Sequence, residues 1–404
     1  MEQLFRGTRE SRLMELFLFH FRQTGNTVEQ HLIGTTAFAT IDPANIRALL
    51  STRSRDFDLG GRRLIMSPLF GDGIFIQEGE EWHQSRNLLR RLLQCHNYED
   101  LNVFKRNVDV LIEDLSNQTA IVDLQPLFFR LTFDISKEYL FGNTVKSLTA
   151  HESASEQAFS NSFDTALAIV AKRFRLSNIY WMIGGSRFRQ ACSNVHRLAD
   201  QMIDRSRSSR SSQESSVFLD QLAEEISDRD VLRGQMINLL AAGRDTTACL
   251  LTWTFFLLVR HPRVLKKLRE EIITKCLDTA SLTSTDLRQL FYLQNVLRET
   301  LRLYPSIPIN DRRANKDTFL PTGGGPDRTA PVFIPKGKIV TFSTYALHRR
   351  PDLYGMDAEL FRPERWDEYM PMHHGDITKD WGYLPFNNGS TRTCIGSRCQ
   401  VYES

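Results

Sequence analysis

Residues 228–260 read DRDVLRGQMINLLAAGRDTTACLLTWTFFLLVR, and the run closes only at His261-Pro262, where proline cannot continue a helical hydrogen-bond ladder. At 1.5 Å per residue this predicts one helix of about 50 Å, long enough to cross a domain. Its second half, CLLTWTFFLLV from Cys249, is apolar on every face and is expected to run through the core. At its middle lies Ala241-Ala242-Gly243-Arg244-Asp245-Thr246-Thr247, an acid and two hydroxyls that are costly inside a buried helix. Gly243 removes bulk one turn before Thr247 and leaves room for a flat or small ligand. A threonine hydroxyl that bonds back to a helix carbonyl can also release a polar group for a ligand or water. A satisfied polar bend in a buried helix accounts for the same residues, and spacing alone leaves both readings open.

Downstream, a second helix is expected over Asp286–Tyr304, stopped by Pro305. It places Glu299 and Arg302 three apart on one face, an ordinary surface pair by itself. The proline-containing segment FRPERW at 361–366 changes that reading, because its Arg365 can complete a buried Glu–Arg–Arg network that holds a loop in register. Between the two lies a strand- and turn-rich stretch to Tyr345, with Gly323-Gly324-Gly325-Pro326-Asp327 as a hairpin or loop tip. This tip is no phosphate loop, since neither a helix nor G-K-[ST] follows it. Then comes LPFNNGSTRTCIG at 384–396. A cysteine in a glycine-flanked loop can gather backbone N–H groups around a thiolate and make it a metal ligand. Zinc would need more ligands than the loop supplies: Cys399 is one candidate, and His373-His374 are distant in sequence. Covalent heme would need C-x-x-C-H, which is absent. One axial thiolate on a self-contained macrocycle fits the residue count better, and a small buried hydrophobe is the plainer alternative for an isolated cysteine.

Upstream, FATIDPANIRALL at 38–50 predicts a strand entering a helix with Asp42 as N-cap and Pro43 at the first helical position. In LFGDGIFIQEGEEWHQSRNLLRRLL at 69–93, a turn at Gly71-Asp72-Gly73 is expected to lead through a short strand into a helix with Trp82 and Arg86 on one face. Helical periodicity dominates from Asn102 to Val195, and the polar run Ser206–Ser216 reads as a mobile surface loop. The whole is mainly α with a minor β-sheet region near both ends.

The chain has 404 residues, 41% hydrophobic and 25% charged, which is globular composition with enough apolar material for a large core. Lys and Arg number 51 against 48 Asp and Glu, a net charge of +3, so no strong basic excess points to nucleic acid. Six cysteines in so long a chain do not form a disulfide framework and favour a reducing compartment. No apolar run reaches the ~20 residues of a membrane-spanning helix, and the charged N-terminus lacks a signal-peptide pattern.

Ala242-Gly243-x-Asp245-Thr246-Thr247, Glu299-x-x-Arg302, Pro363-Glu364-Arg365 and Phe386…Gly389…Arg392-x-Cys394-x-Gly396, in this order, together resemble the cytochrome P450 superfamily, the heme-thiolate monooxygenases. The resemblance covers nearly the whole chain. EEWHQSR is similar to the family's Trp-x-x-x-Arg helix, and DFDLGGRR, LFGDGIF, LRLYPSIPIN, LPTGGG and YALHRRPDLYG resemble the fungal branch that hydroxylates alkanes and fatty acids. The implied fold is a single large domain over 1–404, with heme b between the long central helix and the cysteine loop.

The resemblance implies that Cys394 ligates the iron, that Phe386 packs beside the heme and shields the sulfur, and that Arg392, Trp82, Arg86 and Arg312 hold its propionates. Asp245 and Thr246 would deliver protons for dioxygen activation, and Glu299, Arg302 and Arg365 would form the scaffold. The implied activity is an oxidoreductase, a monooxygenase hydroxylating a lipophilic substrate with O2 and electrons from a separate NADPH-dependent reductase. The chain would act as a monomer without nucleic acid, at the endoplasmic reticulum membrane surface by resemblance or, with no transmembrane segment in this chain, in the cytoplasm or only peripherally attached. It departs from the family pattern in one extra residue at Ser390-Thr391, in ending soon after Gly396 without the following helix and sheet, and in beginning without a membrane anchor. Truncation at both ends is therefore expected, and a family member unable to hold heme productively is the alternative function. Asp245-Thr246 argues against a third use, in which the heme serves isomerisation or dehydration without a reductase.

Overall fold

The carboxylate of Asp228 accepts from the amides of Asp230 at 2.8 Å and Val231 at 3.2 Å, satisfying donors that a helix start leaves open. The helix behind this cap runs unbroken from Arg229 to Arg260. Pro262 stops it and opens the next helix. The computed structural model describes residues 12–32, 35–95, 101–117, 121–141, 154–208, 217–276, 282–368, 381–389 and 392–396. In chain order the helices are α1 (Leu13–Thr24), α2 (Pro43–Arg47), α3 (Arg62–Phe70), α4 (Gly79–Cys95), α5 (Asn102–Ser116), α6 (Leu124–Phe141), α7 (Ala154–Leu176), α8 (Gly185–Ser208), α9 (Val217–Glu225), α10 (Arg229–Arg260), α11 (Pro262–Lys275), α12 (Ser284–Arg288), α13 (Phe291–Leu303), α14 (Thr344–Leu347), α15 (Pro351–Tyr354) and α16 (Arg365–Glu368). The strands are β1 (Thr27–Leu32), β2 (Thr35–Thr40), β3 (Phe57–Asp58), β4 (Ile309–Ala314), β5 (Thr318–Gly324), β6 (Ala330–Ile334) and β7 (Ile339–Ser343). This is the mainly α architecture with minor sheet that the sequence implied.

Contacts divide the chain into two units: one of Met1–Gly60, Trp253–Ser281 and Thr285–Ser404, the other of Gly61–Thr252 and Leu282–Ser284. The first unit holds both sheets. Its five strands run in the order β1-β2-β7-β4-β3. β2 and β7 pair in parallel from Ala37 opposite Ile339 to Thr40 opposite Phe342, and the other neighbours pair antiparallel. The strands read near the two ends therefore build one sheet. Beneath it, Phe38, Leu49, Leu50, Val340, Phe342 and Leu384 belong to one apolar core. Asp42 caps α2 through the amides of Ala44 and Asn45, with Pro43 in the first turn. β5 and β6 form the expected hairpin around the glycine-rich tip.

The expected helix over Asp286–Tyr304 is broken in two. Leu290 leaves helical geometry at φ −83° and ψ 72°, because Glu271 of α11 takes the amides of Tyr292 and Leu293, each at 3.0 Å. A side chain distant in sequence thus supplies the start signal of α13. The end of α10 also differs from expectation: Leu257 and Leu258 are buried, whereas Phe255, Phe256 and Val259 are exposed, with Arg260 lying over the Phe256 ring.

The second unit is helical. Leu111, Leu127, Phe128, Leu131 and Ala248 make one core cluster from α5, α6 and α10. The strand expected after Gly71-Asp72-Gly73 does not form. Gln235 Oε1 accepts from the amide of Ile74 at 3.1 Å and Asn238 Oδ1 from that of Phe75 at 2.9 Å, so side chains of α10 take donors that a neighbouring strand would have used. The approach is close: a Cβ on Gly73 would stand 2.2 Å from Asn238 Nδ2, and one on Gly234 would stand 2.8 Å from the Asp72 amide nitrogen. α8 continues through Ser206–Ser208, which corrects the start of the expected polar loop; 209–216 lie outside the described residues.

Candidate functional site

Each unit carries its own group of the residues singled out in the sequence. In the helical unit, Trp82 is buried on α4 and the Arg86 guanidinium lies 5.4 Å from its ring centroid, as i,i+4 spacing requires. Ser85, between them, accepts from Gln235 Nε2 at 2.8 Å. The α10 amide that straps the 71–77 loop therefore also fixes α4.

On α10, the Thr246 hydroxyl donates to the Ala242 carbonyl at 2.7 Å, the back-bond expected from the sequence, and the helix stays regular around it. Asp245 is 3.2 Å from Arg244 Nη1. Arg244 is buried and also grips Asp164 of α7, at 2.7 Å through Nη1 and 3.2 Å through Nη2. One guanidinium thus serves two carboxylates. Burial raises the Asp245 pKa to about 6; Arg244 opposes this and the Asp164 charge adds to it. Asp245 therefore exchanges a proton near neutrality, where a general acid is most useful. Arg244 and Asp164 were not marked from the sequence, because their pairing spans helices and leaves no local pattern. Gly243 faces α6: a Cβ there would meet Ser136 Oγ at 2.4 Å. The glycine serves helix packing, and this corrects the expectation that it clears room for a ligand.

In the sheet-bearing unit, Glu299 and Arg302 of α13 have no exposed surface. The Arg302 guanidinium forks onto Glu299 with two bonds of 2.8 Å. Its remaining donors reach the carbonyls of His348 at 2.7 Å, Ala358 at 2.6 Å and Leu360 at 3.2 Å. Arg365 joins Glu299 at 3.4 Å and donates to the Tyr354 carbonyl at 2.6 Å, while the Arg362 amide and Trp366 Nε1 complete the carboxylate at 3.0 and 3.1 Å. The three residues come together as read from the sequence. Arg312 lies on β4 opposite Val340 of β7, buried and bonded to Asn310 at 3.1 Å.

The cysteine loop closes on itself. The Cys394 amide donates to the Phe386 carbonyl at 2.9 Å, Asn387 Nδ2 reaches the Arg392 carbonyl at 3.4 Å, and the Thr393 hydroxyl donates to the Gly389 carbonyl. Asn387 and Gly389 supply the positive φ angles of this turn, 59° and 89°. A Cβ on Gly389 would sit 3.3 Å from both Ser51 and Trp381, so glycine is required there for shape as well as conformation. Ser390 and Thr391, the site of the extra residue, lie outside the described residues, as do His373, His374 and Cys399.

Of Cys192, Cys249, Cys276 and Cys394, only Cys394 is exposed. Among the described residues no cluster of three or more His, Cys, Asp or Glu side chains is placed to hold a metal ion. A heme brings its own in-plane donors and asks one axial ligand of the protein, and a single exposed cysteine on a turn meets that demand. Phe386, Arg392 and Cys394 occupy the same turn.

The sequence comparisons agree with this geometry. A family model described as Cytochrome P450 matches residues 3–399. The chain belongs to the cytochrome P450 family. It is 41% identical to a cytochrome P450 of Arthroderma benhamiae over 98% of this chain and 78% of that protein. It is 38% identical to cytochrome P450 52A12 of Debaryomyces hansenii, over 98% and 79% of the two chains, and 37% identical to cytochrome P450 monooxygenase alt2 of Alternaria solani, over 92% and 74%. The protein is thus a P450 monooxygenase of fungal type, whose family cofactor is heme b with an axial cysteine thiolate and whose reaction takes O2, a lipophilic substrate and electrons from a redox partner. Among the described residues, no helix of this P450 is long and apolar enough to cross a membrane.

Proposed function

We propose that this P450 hydroxylates a fatty acid, an alkane or a lipophilic secondary-metabolite intermediate, with Cys394 as the proximal heme ligand. The observation that carries the assignment is the exposure of Cys394 on a loop held by its own amide bond to Phe386. The net reaction takes R–H, O2, two electrons and two protons to R–OH and water. When bound, the heme supplies the iron at which dioxygen is reduced, and the thiolate's electron density favours O–O cleavage. Phe386 would shield the sulfur, and Arg312, Arg392, Trp82 and Arg86 would be the residues that hold the propionates. Asp245 holds the first proton at its carboxyl, poised by its pKa of about 6. Thr246 passes it on by exchanging the bond it donates to Ala242. Glu299, Arg302 and Arg365 hold the scaffold and touch no reacting atom. The electrons come from a separate NADPH-dependent reductase, and the protein works as a monomer at the endoplasmic reticulum surface.

The test is the spectrum of the heme-loaded, reduced protein under carbon monoxide, beside Cys394→Ala, followed by titration with dodecanoic acid. The expected result is a strongly red-shifted Soret band that vanishes in the variant, and a spin-state change on adding the acid. A red-shifted band that survives Cys394→Ala refutes the ligand assignment, and spectral silence toward fatty acids and alkanes moves the substrate to the secondary-metabolite class.

A further inference from the structure

We infer that His348 is a positioning residue for the Cys394 thiolate, a neutral imidazole that ties the entry of the cysteine loop to the Glu299–Arg302–Arg365 network. The inference rests on Cys394 being the ligand. His348 has no exposed surface and sits at the end of α14. Its Nε2 lies 2.8 Å from the Leu384 amide nitrogen. A backbone N–H can only donate, so Nε2 carries no proton. Its Nδ1 lies 3.1 Å from the Arg302 carbonyl, which can only accept, so Nδ1 carries the proton. The tautomer is fixed from both sides.

His348 and Arg302 are reciprocally bonded, because the Arg302 guanidinium donates to the His348 carbonyl at 2.7 Å. On the other side, three consecutive residues are clamped. Tyr354 Oη donates to the Gly382 carbonyl at 2.9 Å, Tyr383 Oη to the Arg298 carbonyl at 3.1 Å, and the Leu384 amide to His348. Tyr354 offers its own carbonyl to Arg365. Leu384 is two residues from Phe386, whose carbonyl receives the Cys394 amide. A slip of residues 382–386 would therefore be passed to the sulfur. Arg302, Arg349, Tyr354 and Tyr383 surround the ring. With two guanidinia among them, a second proton on the imidazole would set N–H against N–H at Leu384 and abolish the tie.

The test uses the heme-loaded full chain and two readouts, the reduced carbon-monoxide spectrum and hydrogen exchange at the Leu384 amide. His348→Phe keeps a ring and loses both bonds; His348→Gln keeps one acceptor and one donor. Leu268→Ala, in a separate cluster of the same unit, controls for general destabilisation. In His348→Phe the thiolate band should give way to that of a protonated thiol and Leu384 should exchange at least about tenfold faster, the effect of stranding one buried donor. His348→Gln should restore most of both, and Leu268→Ala should keep the band. A full thiolate band in His348→Phe, or an equal loss in Leu268→Ala, overturns the inference. If His348→Phe does not fold, the parent protein decides: a Leu384 amide exchanging like an open loop overturns it, and one protected to the level of α13 supports it. Cys394→Ser separates the two claims, since a thiolate band surviving there refutes the ligand and leaves the Leu384 tie to be judged by exchange alone.

Discussion

Replacing Arg302 with lysine should cost this P450 about 5 kcal/mol, although charge and length are nearly conserved. The guanidinium places two bonds of 2.8 Å on Glu299 and three more on the carbonyls of His348, Ala358 and Leu360; Arg302, Glu299 and His348 have no exposed surface and Ala358 is buried. A lysine ammonium is a single point with three donors and cannot fork onto a carboxylate while reaching three divergent carbonyls. Each lost charged hydrogen bond is worth ~1.5–3 kcal/mol, and each stranded buried acceptor adds ~1–3 kcal/mol. Two of each, at the lower bounds, gives about 5 kcal/mol, a large part of the 5–15 kcal/mol by which domains are stable. The chain has two units, so one unfolding midpoint does not describe it. The suitable assay is native-state hydrogen exchange of the protected amides of α13, which reports the opening free energy of the unit that holds the network. Those amides should exchange more than about a thousandfold faster in Arg302→Lys, at roughly tenfold per 1.4 kcal/mol. Exchange within fivefold of the parent would refute the claim that guanidinium geometry, rather than positive charge, holds this core.

Four further outcomes follow from other parts of the molecule. Burial, aided by the Arg302 charge, depresses the His348 pKa from 6.5 to about 3. Below pH 6.5 the unfolded chain therefore binds the extra proton, and stability of the sheet-bearing unit should fall by about 1.4 kcal/mol per pH unit on acidification toward 3. Amide exchange in α13 against pH reads this slope, and its persistence in His348→Gln would refute the assignment. Asp245 has the opposite sign, its stabilising contribution being fullest below pH 3.8 and lost as pH rises through 6, so Asp245→Asn should remove the break near pH 6 in product formation while electron consumption continues. Gly389→Ala, at φ 89° and 3.3 Å from Ser51 and Trp381, should cost ~1–3 kcal/mol and shorten the lifetime of the thiolate band on warming; an unchanged lifetime would show that the turn relaxes freely. Asn238→Leu strands the Phe75 amide and the Phe70 carbonyl and should release the 70–77 segment to exchange at least about tenfold faster; unchanged protection there would refute the strap.

Much of the site could be read before folding because its parts are local. Asp228, Asp42 and the prolines that follow a cap or end a helix act within four residues, and so do the Trp82/Arg86 and Glu299/Arg302 spacings. The Cys394 turn is also local, since its closing bonds join residues inside 386–394. Sequence reading failed where a distant side chain replaced a local partner. Glu271 starts α13 and divides what the sequence reads as one helix over 286–304; Gln235 and Asn238 take the amides of the segment read as a short strand.

The sequence by itself determined the extent of α10, the capped start of α2, the order of the motifs and hence the family, because capping, proline termination and side-chain spacing are short-range effects. Only the tertiary structure decided that strands from the two ends form one sheet, that Arg244 holds Asp164 as well as Asp245, and that His348 is neutral and joined to Leu384. The reason is physical: burial removes water as the alternative partner, so each buried donor and acceptor must be met by whatever group the fold brings within 3 Å or so, however far away that group lies in the chain.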